Sequence, residues 1–436
     1  MSSLQAELKM LPTSLPASSV HHVENLLFFT LLQLVVILLA ARIGGSLAQR
    51  WGQTRVVGEI VVGLLLGPSL FGSLAPDTFQ YVFHSVPGEP IMIMSQIGLI
   101  LLMFQIGLDF DFSHLKSRDN SKVVMLVSLF GLVVPFLLGL LVATLSHDAL
   151  APTVNLLAYA LFMATALSIT AVPVLGRIMM ELGITRTAVG VITITSAAIN
   201  DVVGWIALAV VTALTLSQFS LTGMLFNLSM LLLYAALCWW VLRPLLRQLL
   251  TYFKSHSDDL PQSLLAVLLA LIFLSAMATY KIGIFAIFGG FMLGVLLHDE
   301  HEFVAAWKAK IADFVSVFFV PIFFTYTGLR THIDALDSWN LWQWCLIILG
   351  AATLGKFGGS YFAARWAGRA AHESRIIAVM MNTRGLMELI VINVGYDLGV
   401  IPANVFTMLV IMAVVSTLVT APVVRLWMKR DLPMVA

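Results

Sequence analysis

Asn200 and Asp201 stand at the midpoint of an otherwise apolar stretch, residues 187–214. A charged side chain at the centre of a bilayer costs roughly 2.5–3.5 kcal/mol on insertion scales, so a carboxyl held there marks a place that handles charge. Thr193, Ser196 and Asn200 recur at steps of three and four, which puts them on one helical face, and Gly204 leaves room for a second helix. Such a stripe either offers oxygens to a cation or joins helices through hydrogen bonds. The second reading suits the Ser and the Thr but not a midplane Asp.

Two further segments carry polar chemistry inside apolar surroundings. The run "ATALSITAVPVLGR" places Thr165, Ser168 and Thr170 before Pro173. Proline has no N–H, so the Ile169 carbonyl loses its helical partner. A freed carbonyl between two hydroxyls is a ligand set for a small cation, whereas the blander reading is an ordinary proline kink. In "MMNTRGLMELIVINVG" the residues Asn382, Thr383, Arg384 and Gly385 interrupt an apolar helix, and Glu388 follows Arg384 by four. That spacing reads as a self-neutralising pair on one helix face, beside a site if not within it. Lys356, among Gly355, Gly358 and Gly359, either snorkels to the interface or is a fixed cation facing Asp201 or the carboxyl end of a broken helix. Glu59, close to Arg55, reads as interfacial.

The elements that must position these residues are membrane helices. Of 436 residues 60% are hydrophobic and 11% charged, with a mean hydropathy of +0.97, which describes an all-α polytopic membrane protein. Apolar runs predict about thirteen transmembrane helices, from 24–42 to 402–424. Of the 24 basic residues, nineteen fall in one set of alternate loops and three, Lys9, Lys281 and Arg330, in the other; Lys356 and Arg384 lie within spans. That asymmetry puts the amino terminus outside and the carboxyl terminus in the cytoplasm. The basic residues form no patch that would bind nucleic acid, and Cys238 and Cys345 read as buried small hydrophobes.

An internal repeat is expected. Gly63 and Gly67 in "IVVGLLLG" match Gly290 and Gly294 in "IFGGFMLG", and Gly107-Leu108-Asp109 matches Gly328-Leu329-Arg330. Six helices, one connector and six helices make the second copy inverted, a plan typical of secondary transporters, whose sites lie at interrupted helices in corresponding places. The expected divisions are an extramembrane leader over 1–22, a first repeat over 23–214, a connector helix and loop over 215–260, a second repeat over 261–428 and a tail over 429–436.

The runs "SITAVPVLGRIMMELGI", "INDVVGWIALAVV" and "MNTRGLMELIVINVG" resemble the monovalent cation:proton antiporter-2 family, which includes Kef-type proteins and the plant cation/H+ exchangers. The resemblance covers nearly the whole chain. It implies a sodium/proton antiporter-like fold in which two crossed discontinuous helices form a core that moves against a dimerisation domain, and hence a homodimer in lipid. It implies that the chain is no enzyme and needs no cofactor, and that it exchanges a monovalent cation, K+ or Na+, for H+. Asp201 would bind cation and proton in competition, with Asn200, Thr170, Ser168 and Ile169 around it. Lys356 occupies the family's basic position, Arg384 and Glu388 compensate charge, and Pro173 and Gly385 mark the breaks. Many electrogenic relatives carry two adjacent acids, so Asn200 before Asp201 looks like the electroneutral type, although Lys356 is retained. Kef-type and plant relatives continue into large cytoplasmic domains, whereas about a dozen residues follow the last expected helix here, so no regulatory or nucleotide-binding domain is expected. The expected location is a bacterial inner membrane. A channel-like K+ efflux pathway and a non-transporting sensor of the same fold remain as alternatives.

Overall fold

The computed structural model describes residues 17–108, 121–182, 184, 187–216, 221–253, 260–282 and 285–431. The principal helices are α1 (Ala17–Arg50), α2 (Arg55–Leu65), α3 (Glu89–Leu108), α4 (Ser121–Leu150), α5 (Leu156–Ser168), α6 (Val172–Glu181), α7 (Ala188–Leu216) and α8 (Leu221–Leu237). They continue as α9 (Arg243–Tyr252), α10 (Gln262–Lys281), α11 (Ile287–Leu297), α12 (Val320–Leu329), α13 (Trp339–Trp366), α14 (Ala371–Met381), α15 (Leu386–Asp397) and α16 (Ala403–Asp431). Helix occupies each of the thirteen expected windows. Yet among the described residues only seven helices are long and apolar enough to cross a membrane on their own, and the count reaches eight only if a pair bent by 44° at residues 312–315 is taken as one broken span rather than a re-entrant loop. The remaining windows hold helices that are short, as α2 and α11 are, or broken, as α5/α6 and α14/α15 are, so length and composition alone do not give thirteen spans. The first helix begins at Ala17, inside the segment expected to lie outside the membrane, and α16 runs to Asp431, three residues into the expected tail. Asp109 and the sequence after it, one half of the second repeat match, lie outside the described residues.

The helices pack in two groups. α1, α2, α3, α10, α11 and α12 contact one another, while α4, α5, α6, α7, α13, α14, α15 and α16 form a second set around the broken helices; α2 packs on α16 between them. The matched glycines pack reciprocally. A Cβ on Gly67 would lie 2.2 Å from the Gly328 carbonyl oxygen, and one on Gly294 would lie 2.8 Å from the Gly107 Cα. Thus α12 meets the glycine end of α2 just as α3 meets α11, and neither approach tolerates a side chain.

Candidate functional site

The first break is built by what ends α5. Ile169 turns to extended backbone (φ −73°, ψ 150°), and α6 restarts at Val172 with Pro173 in its first turn, where a missing N–H leaves no bond unmade. The last four carbonyls of a helix have no intrahelical partner, and here every one finds a donor. The Thr165 carbonyl accepts the Ile169 N–H at 3.3 Å and the Ser168 hydroxyl at 2.9 Å. Arg384 donates to Ala166 at 3.0 Å and to Leu167 at 2.8 Å, and Lys356 Nζ donates to the Ser168 carbonyl. Two cations therefore sit at the negative end of the α5 dipole.

The second break is capped differently. α14 ends at Met381, and the Met380 carbonyl accepts both the N–H (3.1 Å) and the hydroxyl (2.7 Å) of Thr383. Gly385 then takes φ 146° and ψ −126°, a conformation essentially reserved for glycine. The two breaks cross in contact. The Ala171 N–H donates to the Thr383 carbonyl at 3.0 Å, and the Thr170 hydroxyl to the Met381 carbonyl at 3.4 Å. Arg384 and Glu388, both buried, are joined at 2.7 Å, and Thr417 of α16 brackets the Arg384 backbone, accepting its N–H at 3.2 Å and donating to its carbonyl at 2.7 Å.

α7 and α13 complete the site. Asp201 and Asn200 are buried, and a Cβ on Gly204 would touch the Ile169 side chain at 2.9 Å, so α7 lies against the first break. Lys356 is fully buried and does not snorkel; besides Ser168 it donates to the Gly131 carbonyl of α4 at 2.8 Å. A Cβ on Gly131 would lie 2.8 Å from the Ser360 hydroxyl and 3.6 Å from the Asn200 amide nitrogen, so α4, α7 and α13 meet there. Several buried polar atoms in this cluster have no hydrogen-bond partner: Asp201 Oδ1, Asn200 Nδ2, Ser360 Oγ, Asn382 Oδ1 and Glu388 Oε2. Unpartnered buried polar atoms are costly, and two of these, Ser360 Oγ and the Nδ2 of Asn200, which is next to Asp201 in the chain, lie together where α4, α7 and α13 meet.

The expected residues divide by behaviour. Asn200, Asp201 and Lys356 come together, and the breaks carrying Ile169, Thr170, Pro173 and Gly385 cross beside them. The Ser168 hydroxyl turns back onto its own helix, and its carbonyl is held by Lys356. Thr193 bonds the Val189 carbonyl of its own helix at 2.7 Å and Ser196 reaches the Val124 carbonyl of α4 at 3.3 Å, so those two act in helix packing. Ser360 and Gly131 were not singled out from the sequence. Ser360 follows Lys356 by one turn on the same helix face, and that spacing is the signal that points to it. Glu59 lines, with Arg42, Arg55, Gln105 and Asp313, a cavity of about 720 Å³ that reaches Val174 of α6. Among the described residues no group of three His, Cys, Asp or Glu side chains is placed to hold a metal ion.

The profile of the family described as "Sodium/hydrogen exchanger, transmembrane" matches residues 34–430. The Na(+)/H(+) antiporter NhaS4 of Synechocystis is 37% identical over 402 residues, covering 92% of this chain and 97% of that protein. Cation/H(+) antiporter 17 of Arabidopsis thaliana is 31% identical over 92% of this chain, and K(+)/H(+) antiporter 1 of Saccharomyces cerevisiae is 30% identical over 86% of it. The chain spans 48% and 43% of the length of those two relatives. In fold it resembles the sodium proton antiporter MjNhaP1 of Methanocaldococcus jannaschii, with a TM-score of 0.65 at 16% identity, covering 91% of this chain and 97% of that one. These relatives are transporters rather than enzymes. The chain is an integral multi-pass membrane protein and belongs to the transmembrane sodium/hydrogen exchanger family.

Proposed function

We propose that this protein exchanges a monovalent cation, K+ or Na+, for H+ at Asp201 by alternating access. The observation that carries the reading is the Asp201 carboxylate, buried with an unpartnered oxygen beside two crossed helix breaks. In a medium of low dielectric a bare carboxylate is costly, and either a bound proton or a bound cation relieves it. One site that accepts one or the other couples the two fluxes. Asn200 and the Ser360 hydroxyl supply neutral oxygens near the carboxylate, and the Ile169 carbonyl and Thr170 line the crossing.

The exchange is electroneutral in this reading. Asp201 and Glu388 balance Lys356 and Arg384 in formal charge, so a proton or a monovalent cation on Asp201 leaves the same total in either loaded state. The reciprocal glycine packing supports a 6+1+6 inverted repeat. The loop-charge asymmetry supports an external amino terminus and a cytoplasmic carboxyl terminus, and the exposed apolar faces of α1 support contact with lipid or with a second copy in a homodimer.

Purified protein in liposomes, loaded with K+ or Na+ and reporting internal pH, tests this. Wild-type protein is expected to move protons against either cation at a rate independent of an imposed potential, and Asp201→Asn to fall to the level of empty liposomes. Retained exchange in Asp201→Asn would sink the role of the carboxylate, and a rate that follows the potential would sink electroneutrality. Cation current without proton countermovement would instead mark a channel-like pathway.

A further inference from the structure

The residue after α12, Arg330, ties the two helix groups together at the end of the molecule away from the charged cavity. Its Nη1 donates to Asn393 Oδ1 of α15 at 2.9 Å, and its Nη2 pairs with Asp397 at the end of the same helix. Asn393 returns a bond to Thr327 of α12 at 3.0 Å. The guanidinium lies over Tyr326 of α12 at 5.0 Å, Tyr396 of α15 at 4.4 Å and Phe406 of α16 at 5.8 Å, so aromatic faces from both groups enclose it. α15 is the half-helix that begins at the second break and carries Glu388. Among the basic residues Arg330 is also one of three on the outer side of the charge asymmetry, where such residues are otherwise scarce.

The opposite side is open. The cavity of about 720 Å³ lies between α1, α2, α3 and α12 of one group and α6 of the other, and it reaches Val174, which packs beside Gly385. At the outer end a cavity of about 530 Å³, lined by Gln33, His84, Tyr326 and Leu329, stays within the first group and reaches no residue of the second, so the seam between the groups is tied at its outer end and open at its inner end, which describes one state of a two-state cycle. We infer that Arg330 is the outer latch of that cycle, a tethered cation that holds α15 against α12 in the inward-facing state and must leave Asn393 and Asp397 before the site can open outward. The inference rests on the alternating-access reading. The pair is suited to repeated release, because the Arg330 and Asp397 side chains keep 16% and 29% of their surface exposed, so water and external cations can take over the carboxylate when the guanidinium withdraws.

Cysteine labelling tests the latch without requiring transport. Ser316 lines the inner cavity, and the two native cysteines are buried, so a Ser316→Cys protein in vesicles with the cytoplasmic face outward reports inward opening through its reaction with a membrane-impermeant maleimide. Arg330→Gln and Asp397→Asn in that background are expected to slow labelling by about fivefold, the scale of one partly exposed ion pair with its ring contacts. The swap Arg330→Asp with Asp397→Arg is expected to restore part of the rate. Asp397→Asn leaves Arg330 and its aromatic enclosure in place, so it reports even where Arg330→Gln fails to fold. Unchanged labelling in Asp397→Asn, or in every folded variant, overturns the latch. Cation-driven proton movement by the wild type in the same vesicles is a separate readout: its absence overturns the transport reading, while the labelling still decides the latch.

Discussion

The two helix breaks solve one problem in opposite ways. At the first, Ile169–Ala171, the chain contributes no charge, and the carbonyls that end α5 are capped by cations from elsewhere, Lys356 of α13 and Arg384 of the second break. At the second, residues 382–385, the chain supplies its own cap through Thr383 and its own turn through Gly385, and the charge it carries is directed across the crossing to α5. Positive charge thus converges on one half-helix end, the one packed against α7 and Asp201. The first break is an electrostatic device and the second is a geometric one. Replacing Lys356 and Thr383 should separate them.

Lys356→Met orphans the Gly131 and Ser168 carbonyls at about 1–3 kcal/mol each and leaves Asp201 without the cation it faces. Exchange in liposomes is expected to collapse and the melting temperature in detergent to fall. Lys356→Arg, which keeps the charge but not the compact ammonium, should recover stability more fully than rate. Thr383→Val removes a cap that the Thr383 N–H already duplicates, so a loss of about 1 kcal/mol with exchange largely kept is expected. Equal losses of rate in Lys356→Met and Thr383→Val would break the distinction between the two breaks.

Backbone substitutions probe the geometric side. At φ 146° any side chain is strained, and a Cβ on Gly385 would also approach Val174 at 3.1 Å, so Gly385→Ala should cost about 1–3 kcal/mol. Ala171→Gly, at the corresponding place in the first break, introduces no clash but adds freedom and removes one buried methyl, about 1–2 kcal/mol together. Thermal unfolding of the two proteins side by side checks the asymmetry. A larger loss for Ala171→Gly would show that the first break is held by its backbone rather than by the charges around it.

How much of this was legible in the sequence follows the same division. Intramembrane charges announce themselves, because apolar surroundings make Asp201, Lys356, Arg384 and Glu388 stand out one by one, and the breaks carry proline and glycine. What the sequence could not give was direction. Arg384 and Glu388 at i and i+4 read as a pair that neutralises itself, whereas the guanidinium also reaches the end of α5 from more than 200 positions away in the chain. Ser168 read as a ligand through its hydroxyl, but only three-dimensional packing reveals that its carbonyl is engaged by Lys356. Ser360 carries a neutral side chain in a glycine-rich helix, so nothing but its spacing from Lys356 distinguishes it. The thirteen windows were legible as helix. Hydropathy, however, does not say how short and broken helices join into spans.

The smallest expected effect lies away from both breaks, at a charge cluster partly exposed to water, and it measures how special the buried one is. Arg243 and Arg247 at the start of α9 pair with Asp299 at 2.6 and 2.5 Å, and Arg247 also reaches Glu300 at 2.8 Å, fastening the α8–α9 connector to the end of α11. Partial burial alone would raise the Asp299 carboxyl, but Arg243 and Arg247 outweigh it and hold it below its ordinary value. A carboxyl depressed in the folded state stabilises the fold above its unfolded value, and that contribution disappears as pH falls through the folded one. Asp299→Asn is therefore expected to cost about 0.5–1 kcal/mol at neutral pH, discounted for solvent, and nothing once acid has protonated the wild-type carboxyl. Melting temperatures of the two proteins should converge on acidification, and added salt should narrow the gap at neutral pH, because solvent ions screen this cluster. Salt has no comparable access to Lys356 or Arg384, whose burial leaves nothing to screen. If salt weakened Lys356-dependent stability as much as the Asp299 clamp, the convergence of charge on α5 would be a surface effect and its contrast with the second break would disappear.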